Sequence, residues 1–288
     1  MTAIIFGAGG QDGYYLTKLL TEKKIEVIGI SRQAGFVHVD IGDYKKVSEL
    51  IRVHKPGYIF HLAANSTTHH DALFENHITI ATGSLNILES VRNFSPLTKV
   101  FISGSGLQFK NENKPIKETD PFEARDVYSV SRIQSVYAAR YFRTLGIGVY
   151  TGYFFNHDSP LRTERHMTKK IAEAAKRIGS GSNEKLEIGD IDVIKEYAYA
   201  GDIVNGIWTL VNQEKISEAN ISSGEGYSIK DWIMACFAEV NKNWESHIIM
   251  KKDFIPGYKK LVSDPSLIFS LGWNPGVSFY ELAKLMMK

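Results

Sequence analysis

Short apolar runs alternate with amphipathic stretches along the first half of the chain. Ala3-Ile4-Ile5-Phe6, Ile25 to Ile30, Val37-His38-Val39-Asp40-Ile41, Tyr58 to Ala64, Val100-Phe101-Ile102-Ser103 and Gly148 to Phe155 each read as a strand. Between them, apolar residues recur at helical spacing through Tyr15 to Leu20, from about Ile78 to Phe94, and from Tyr128 to about Leu145. This alternation predicts an α/β fold, a Rossmann-like doubly wound parallel sheet whose ligand crevice lies at the strand C-termini. Beyond Asn156 the pattern loosens into short strands (Leu186-Glu187-Ile188, Ala219-Asn220-Ile221) and short helices (Asp202 to Val211, Ile229 to Val240). Residues 1–155 are therefore expected to form a dinucleotide-binding domain. Residues 156–288 are expected to form mostly a substrate-binding lobe, with some segments returning to the first domain.

Composition narrows the function classes. A chain of 288 residues with 43% hydrophobic content can bury a large core. The net charge of +2, with basic residues dispersed, provides no footprint for nucleic acid. The single cysteine, Cys236, lies in an apolar helical stretch; it excludes an intrachain disulfide and suits a reducing cytosol as a buried, inert thiol. No apolar run is long enough to span a bilayer, and the N-terminus runs straight into a core strand. The expectation is a cytoplasmic protein with no membrane partner. His69 and His70 are adjacent and point apart on a helix, so no metal is expected.

The first strand and helix are joined by Gly7-Ala8-Gly9-Gly10-Gln11-Asp12-Gly13, a G-x-x-G-x-x-G turn. Gly7, Gly10 and Gly13 let backbone approach a ligand, and the helix opening near Asp12 aims its free N–H groups at a pyrophosphate. The tip of the second strand, where an acid would hold a ribose 2′-hydroxyl, carries Ser31-Arg32, and an arginine there favours NADP. Asp40, beside Ile41, is placed to reach an adenine ring or to cap the helix beginning near Asp43. Leu62, Ala63 and Ala64 end the fourth strand with small residues against which a flat ring can pack.

Two further stretches carry chemistry. Ser103-Gly104-Ser105-Gly106 ends the fifth strand, and Tyr128-Ser129-Val130-Ser131-Arg132 opens the next helix. A cation one turn from a tyrosine stabilises its phenolate, and such a phenol can exchange a proton with a sugar hydroxyl while hydride moves at the carbon. The second stretch, Asn156-His157-Asp158-Ser159-Pro160-Leu161-Arg162 and then Met167-Thr168-Lys169-Lys170, stands where the chain leaves the sheet. Its polar groups and cations suit a diphosphate-linked substrate.

Together the Gly7–Leu16 loop, Gly29-Ile-Ser-Arg32, Leu62-Ala-Ala64-Asn-Ser66, Tyr128-Ser-Val-Ser-Arg132, Asn156-His-Asp-Ser-Pro160 and Leu271-Gly-Trp273-Asn-Pro275 resemble the extended short-chain dehydrogenase/reductases. Within them the chain is most similar to the GDP-mannose 4,6-dehydratase branch and its keto-sugar reductase relatives. The resemblance implies NADP, held by residues of the Gly7–Gly13 loop, Ser31, Arg32, Asp40, Ile41, Leu62, Ala63, Ala64, Ser66, Tyr128, Arg132 and His157. It implies a GDP-linked sugar bound by Ser105, Asn156, Lys169, Lys170 and Lys195, and an Arg162 that reaches a neighbouring subunit's cofactor. It also implies a homodimer or homotetramer built on helices 78–94 and 128–145, with Val136, Ala139, Arg140 and Arg143 as candidate contacts.

Three family positions differ. Gly104 and Gly106 stand where the dehydratases carry a Thr that binds the sugar hydroxyl and a Glu that removes the C5 proton. Arg132 replaces a Lys. Hydride exchange at C4 needs only the cofactor, Tyr128 as acid/base, a cation and Ser103 or Ser105 as second donor. Elimination also needs a base, for which Glu118, Glu123, Asp126 and His157 are candidates. The reading is NADP-dependent redox at C4 of a GDP-hexose or GDP-heptose. The alternatives are a full dehydratase with a relocated base and a non-catalytic NADP(H)-binding homologue.

Overall fold

The inner strands of the main layer are apolar on both faces because both faces are covered by helices. The computed structural model describes residues 1–288. β1 (Thr2–Phe6), β2 (Glu26–Ile30), β3 (Tyr58–His61), β4 (Lys99–Ser105) and β5 (Val149–Phe154) come first. Four short strands follow: β6 (His157–Asp158), β7 (Leu186–Ile188), β8 (Ile194–Glu196) and β9 (Ala198–Tyr199). β10 (Glu218–Ile221) then returns to the main sheet, whose order is β10-β5-β4-β3-β1-β2 with every pair parallel. The direction of winding reverses between β1 and β3, which places the ligand crevice over their C-terminal ends.

The helices are α1 (Gln11–Glu22), α2 (Tyr44–His54), α3 (Leu73–Asn76), α4 (Gly83–Phe94), α5 (Val127–Thr144), α6 (Met167–Gly179), α7 (Ala200–Val211), α8 (Ile229–Ala238), α9 (Ser266–Ser270) and α10 (Phe279–Met286). Strand alternation decides which residues meet which helices. Ile5, Phe60 and Phe101 pack with Leu16 and Leu20 of α1 and Ile207 of α7. Ile4, Ile59 and Ile102 point the other way, onto Val47, Ile87 and Phe142 of α2, α4 and α5. A second core of Ile171, Ala175, Trp232, Cys236 and Phe279 is built from α6, α8 and α10. Burial there pushes the Cys236 thiol up, away from nucleophile chemistry. β11 (Gly226–Ser228), β12 (Ile248–Met250) and β13 (Lys260–Leu261) complete that lobe, with β8 between β11 and β13. No helix is long and apolar enough to cross a membrane.

Four expectations are corrected. Residues 37–41 do not form a strand: only Val37 bridges to Ile30. Residues 31–36 are all that separate them, too few for the crossover that a parallel neighbour requires. Asp40 does not cap α2. Its carboxylate accepts from Gly42 N at 2.9 Å, and Asp43 caps the helix by accepting from Lys45 and Lys46. The helix expected from Ile78 starts earlier, at Leu73, and passes through a π-helical turn at His77–Thr82 before α4. On α5, Val136 and Ala139 are fully buried in this chain's own core. Arg140 and Arg143 bracket Glu218 at 2.8 and 2.6 Å, and Tyr137 and Tyr141 are the exposed aromatic residues of this helix.

Candidate active site

The phosphate cradle follows from two glycines. Gly7 has φ +93°, and a Cβ on it would fall 2.7 Å from Ala63 N, so the loop rests on the end of β3. A Cβ on Gly13 would fall 2.6 Å from Ala8 Cα, so only glycine lets α1 start this close to β1. Gly10, the N-cap, offers no side-chain acceptor, which leaves the first-turn N–H groups of α1 uncapped. Those donors and the helix dipole fit a pyrophosphate.

The adenine-side residues surround this loop. Ser31 Oγ accepts from Gln33 N at 3.1 Å, and Gln33 Nε2 donates to Gly9 O at 3.1 Å, bracing the turn after β2 against the cradle. The Arg32 side chain is 88% exposed and pairs with Glu75 at 3.1 Å. Glu75 also accepts from Asn65 Nδ2 at 2.8 Å. Ile41 is buried, and its carbonyl accepts from Asn86. Leu62, Ala63 and Ala64 are part-exposed just beyond β3, with Ser66 exposed.

The tyrosine pair stands at the head of α5. Asp126 and Ser129 form a reciprocal cap, which fixes where the helix begins and places Tyr128 in its first turn. Arg132 is only 3% exposed, and its guanidinium carbon lies 5.0 Å from the centre of the Tyr128 ring. One nitrogen donates to Ser103 Oγ at 2.7 Å and to the Ser103 carbonyl, while Nε is buried without a partner. The arginine thus clamps β4 and stacks on the phenol ring. Ser103 Oγ in turn donates to His61 O at 2.9 Å. Ser105 caps the 3₁₀ turn at Gly106–Gln108, accepting from Leu107 N at 3.2 Å.

Aromatic rings fill the space beside both glycines of this strand end. A Cβ on Gly104 would fall 2.5 Å from Tyr153 Cδ1, and one on Gly106 would fall 2.7 Å from Phe155 Cε1. Tyr153 is held by a hydrogen bond to Glu218 at 2.6 Å, and Phe155 is 4% exposed, so neither ring is free to step aside.

The segment after β5 folds back over the cradle. His157 Nε2 lies 3.0 Å from Asp12 Oδ1, and Ser159 Oγ donates to Gln11 Oε1 at 2.8 Å. Arg162 donates to His157 O at 3.0 Å, with Nε 3.3 Å from Asp158. Asn156 Oδ1 is buried without a partner. Lys169 pairs with Glu173 at 2.7 Å, and Lys170 is exposed. Lys195 on β8 sits over the Tyr197 ring at 5.7 Å. Burial lowers its pKa, and the Asp158 charge opposes that shift.

His61 and Glu75 were not legible as site residues. His61 reads as one polar position in an apolar strand, yet it is fully buried beneath the Thr79 and Ile80 carbonyls of the π turn, and neither ring nitrogen has a well-aligned partner. Burial, and then the Arg132 charge, lowers its pKa to about 3, so it is neutral. Glu75 matters through Arg32 and Asn65, partners distant in sequence, which local patterns do not reveal.

Comparisons with known proteins give the family and the fold. The family model described as GDP-mannose 4,6 dehydratase matches residues 31–286. GDP-mannose 4,6 dehydratase 1 of Arabidopsis thaliana is 33% identical, over 99% of this chain and 88% of its own length. A GDP-mannose 4,6-dehydratase of Vibrio cholerae is 31% identical, over 99% and 92%. Among solved structures, a UDP-glucose 4-epimerase from Thermotoga maritima superposes with a TM-score of 0.89 at 20% identity, over 100% of this chain and 97% of that one. RMD from Pseudomonas aeruginosa, complexed with NADPH, gives 0.87 at 18% identity, over 99% and 97%. With its cradle, its Tyr128–Arg132 pair and its Asn-His-Asp-Ser-Pro segment built on this sheet, the chain belongs to the GDP-mannose 4,6-dehydratase family of extended short-chain dehydrogenase/reductases.

Proposed function

We propose that this protein is an NADP-dependent enzyme that exchanges hydride at C4 of a GDP-linked sugar and has lost the family's elimination step. The observation that carries this reading is the asymmetry at the end of β4. The tyrosine, its cation and the serines needed for redox are present. The positions from which Thr and Glu would act are glycines whose side-chain space is taken by Tyr153 and Phe155. A missing general base typically costs about 10²–10⁴-fold in rate.

The uncapped start of α1 is suited to the cofactor's pyrophosphate, and Arg32 to a 2′-phosphate. The bound nicotinamide would accept hydride from the sugar or return it. Tyr128 exchanges the hydroxyl proton, and Ser105 holds the same oxygen as second donor. Arg132 cannot give up a proton, so its part is to hold a fixed positive charge over the Tyr128 ring and to stiffen the strand end below it. The buried, unpartnered Asn156 Oδ1 supplies an acceptor for a sugar hydroxyl. Lys195, Lys169 and Lys170 are suited to the diphosphate. Tyr137 and Tyr141, both more than half exposed on α5, support a second copy packing against this helix.

The test is to mix purified protein with NADPH and a GDP-4-keto sugar and follow absorbance of the reduced cofactor. Oxidation matched to keto-sugar loss is expected. Release of water from GDP-mannose without net cofactor consumption would identify the full dehydratase instead. Tight NADPH binding with no turnover, unchanged by Tyr128→Phe, would identify a non-catalytic homologue.

A further inference from the structure

The two most distinctive segments of the chain, Gln11-Asp12 and His157-Asp158-Ser159, are 145 residues apart and close on each other at the mouth of the crevice. The hydrogen-bond partners decide the charge on His157. Its Nδ1 faces the Phe155 carbonyl at 2.8 Å and its Nε2 faces the Asp12 carboxylate at 3.0 Å. Both partners only accept, so both ring nitrogens carry a proton and the ring is an imidazolium.

Asp12 stands in the first turn of α1, the turn whose free N–H groups point into the cradle. A bare carboxylate there would repel a pyrophosphate. We propose that His157 is a positioning residue for the cofactor: its cation cancels the Asp12 charge beside the pyrophosphate and ties the entry of the substrate lobe to the cofactor loop. This rests on the dinucleotide reading of the cradle given above.

Arg162 reinforces the arrangement from behind, donating to His157 O at 3.0 Å and pairing with Asp158. The charged and titratable groups facing the ring are Asp12 on α1, and Arg162, Asp158 and His166 from the segment that follows it. Their effects agree with the geometry. Burial alone would raise the Asp12 carboxyl, but His157 overcomes it and holds it at about 2. Burial would lower His157, but the Asp12 charge and hydrogen bond overcome it and raise the ring above the ordinary imidazole value.

The experiment is fluorescence titration of NADPH across pH for the wild type, Asp12→Asn, His157→Gln and the double variant. The wild-type dissociation constant should rise as pH passes the His157 pKa. Asp12→Asn should bind at least as tightly as wild type with that pH slope flattened. His157→Gln should bind roughly tenfold more weakly, and adding Asp12→Asn to it should restore affinity, a rescue that a merely structural histidine would not show. Should His157→Gln fail to fold, the wild-type slope and its loss in Asp12→Asn still decide the matter. Equal pH profiles for wild type and Asp12→Asn would overturn the proposal. Failure of the wild type to bind NADPH at any pH would overturn the cofactor reading instead.

Discussion

Phe155 stands where a side chain on Gly106 would have to go: a Cβ built on that glycine falls 2.7 Å from Cε1 of the ring. Restoring the family's acid at this position should therefore not restore its reaction. Gly106→Glu is expected to lose about 1–3 kcal/mol of stability through overpacking and to release no water from GDP-mannose. Thermal melts and product analysis check both halves. A stable Gly106→Glu protein with dehydratase activity would mean that Phe155 yields easily and that the departure is superficial.

The Tyr128 ring lies over the buried Arg132 cation at the crevice, its centre 5.0 Å from the guanidinium carbon. Tyr128→Phe keeps the ring stacked and removes only the proton. Turnover should fall by roughly 10²–10⁴-fold, while NADPH affinity stays within a factor of about two or three of wild type, as uniform binding is untouched. Steady-state kinetics paired with a binding titration separates the two. Unchanged kcat would take the phenol out of the reaction.

The layout of the main sheet was legible because each strand obeys a local rule. Ile4-Ile5, Ile59-Phe60 and Phe101-Ile102 alternate between two covered faces, and continuous apolar runs are what that produces. The start of α5 was legible because Tyr128 and Arg132 sit at helical spacing. The stretch at 37–41 misled because β-rich composition says nothing about the length of chain needed to bring a parallel strand alongside. The Asp12–His157 and Gln11–Ser159 contacts belong to a different class. Each residue was recognisable as part of a motif, but which motif each would hold is settled by tertiary folding, over 145 residues and more of separation.

Arg32 reaches Glu75 at 3.1 Å, so the cation proposed for the 2′-phosphate already has a carboxylate partner at the surface. An exposed pair of this kind is weak, and a phosphate competes well for the guanidinium. Glu75→Gln should shift the cofactor preference further toward NADPH over NADH. Arg32→Ala should weaken NADPH by roughly tenfold, the scale of one charge-assisted contact, with little effect on NADH. Parallel titrations with both cofactors check this. An Arg32→Ala protein with an unchanged NADPH to NADH ratio would remove Arg32 from cofactor choice.

Two buried histidines give stability opposite dependences on pH. His61 is lowered to about 3, by burial and then by Arg132, from an ordinary value of 6.5. The unfolded chain therefore binds the proton first. The stabilisation that comes from keeping His61 neutral is complete above about pH 6.5 and is lost as pH falls toward 3. At about pH 5 the loss amounts to roughly 2 kcal/mol. His157 is raised by Asp12 against its burial, so its contribution is fully present below about pH 6.5 and fades as pH climbs through its folded value. Asp12, held at about 2, adds a loss only below about pH 4. Denaturant melts at several pH values should therefore show stability falling on both sides of neutrality. His61→Asn should flatten the acid limb, and His157→Gln the alkaline one. An acid limb that survives His61→Asn unchanged would mean that this ring is not what the fold keeps neutral beside Arg132.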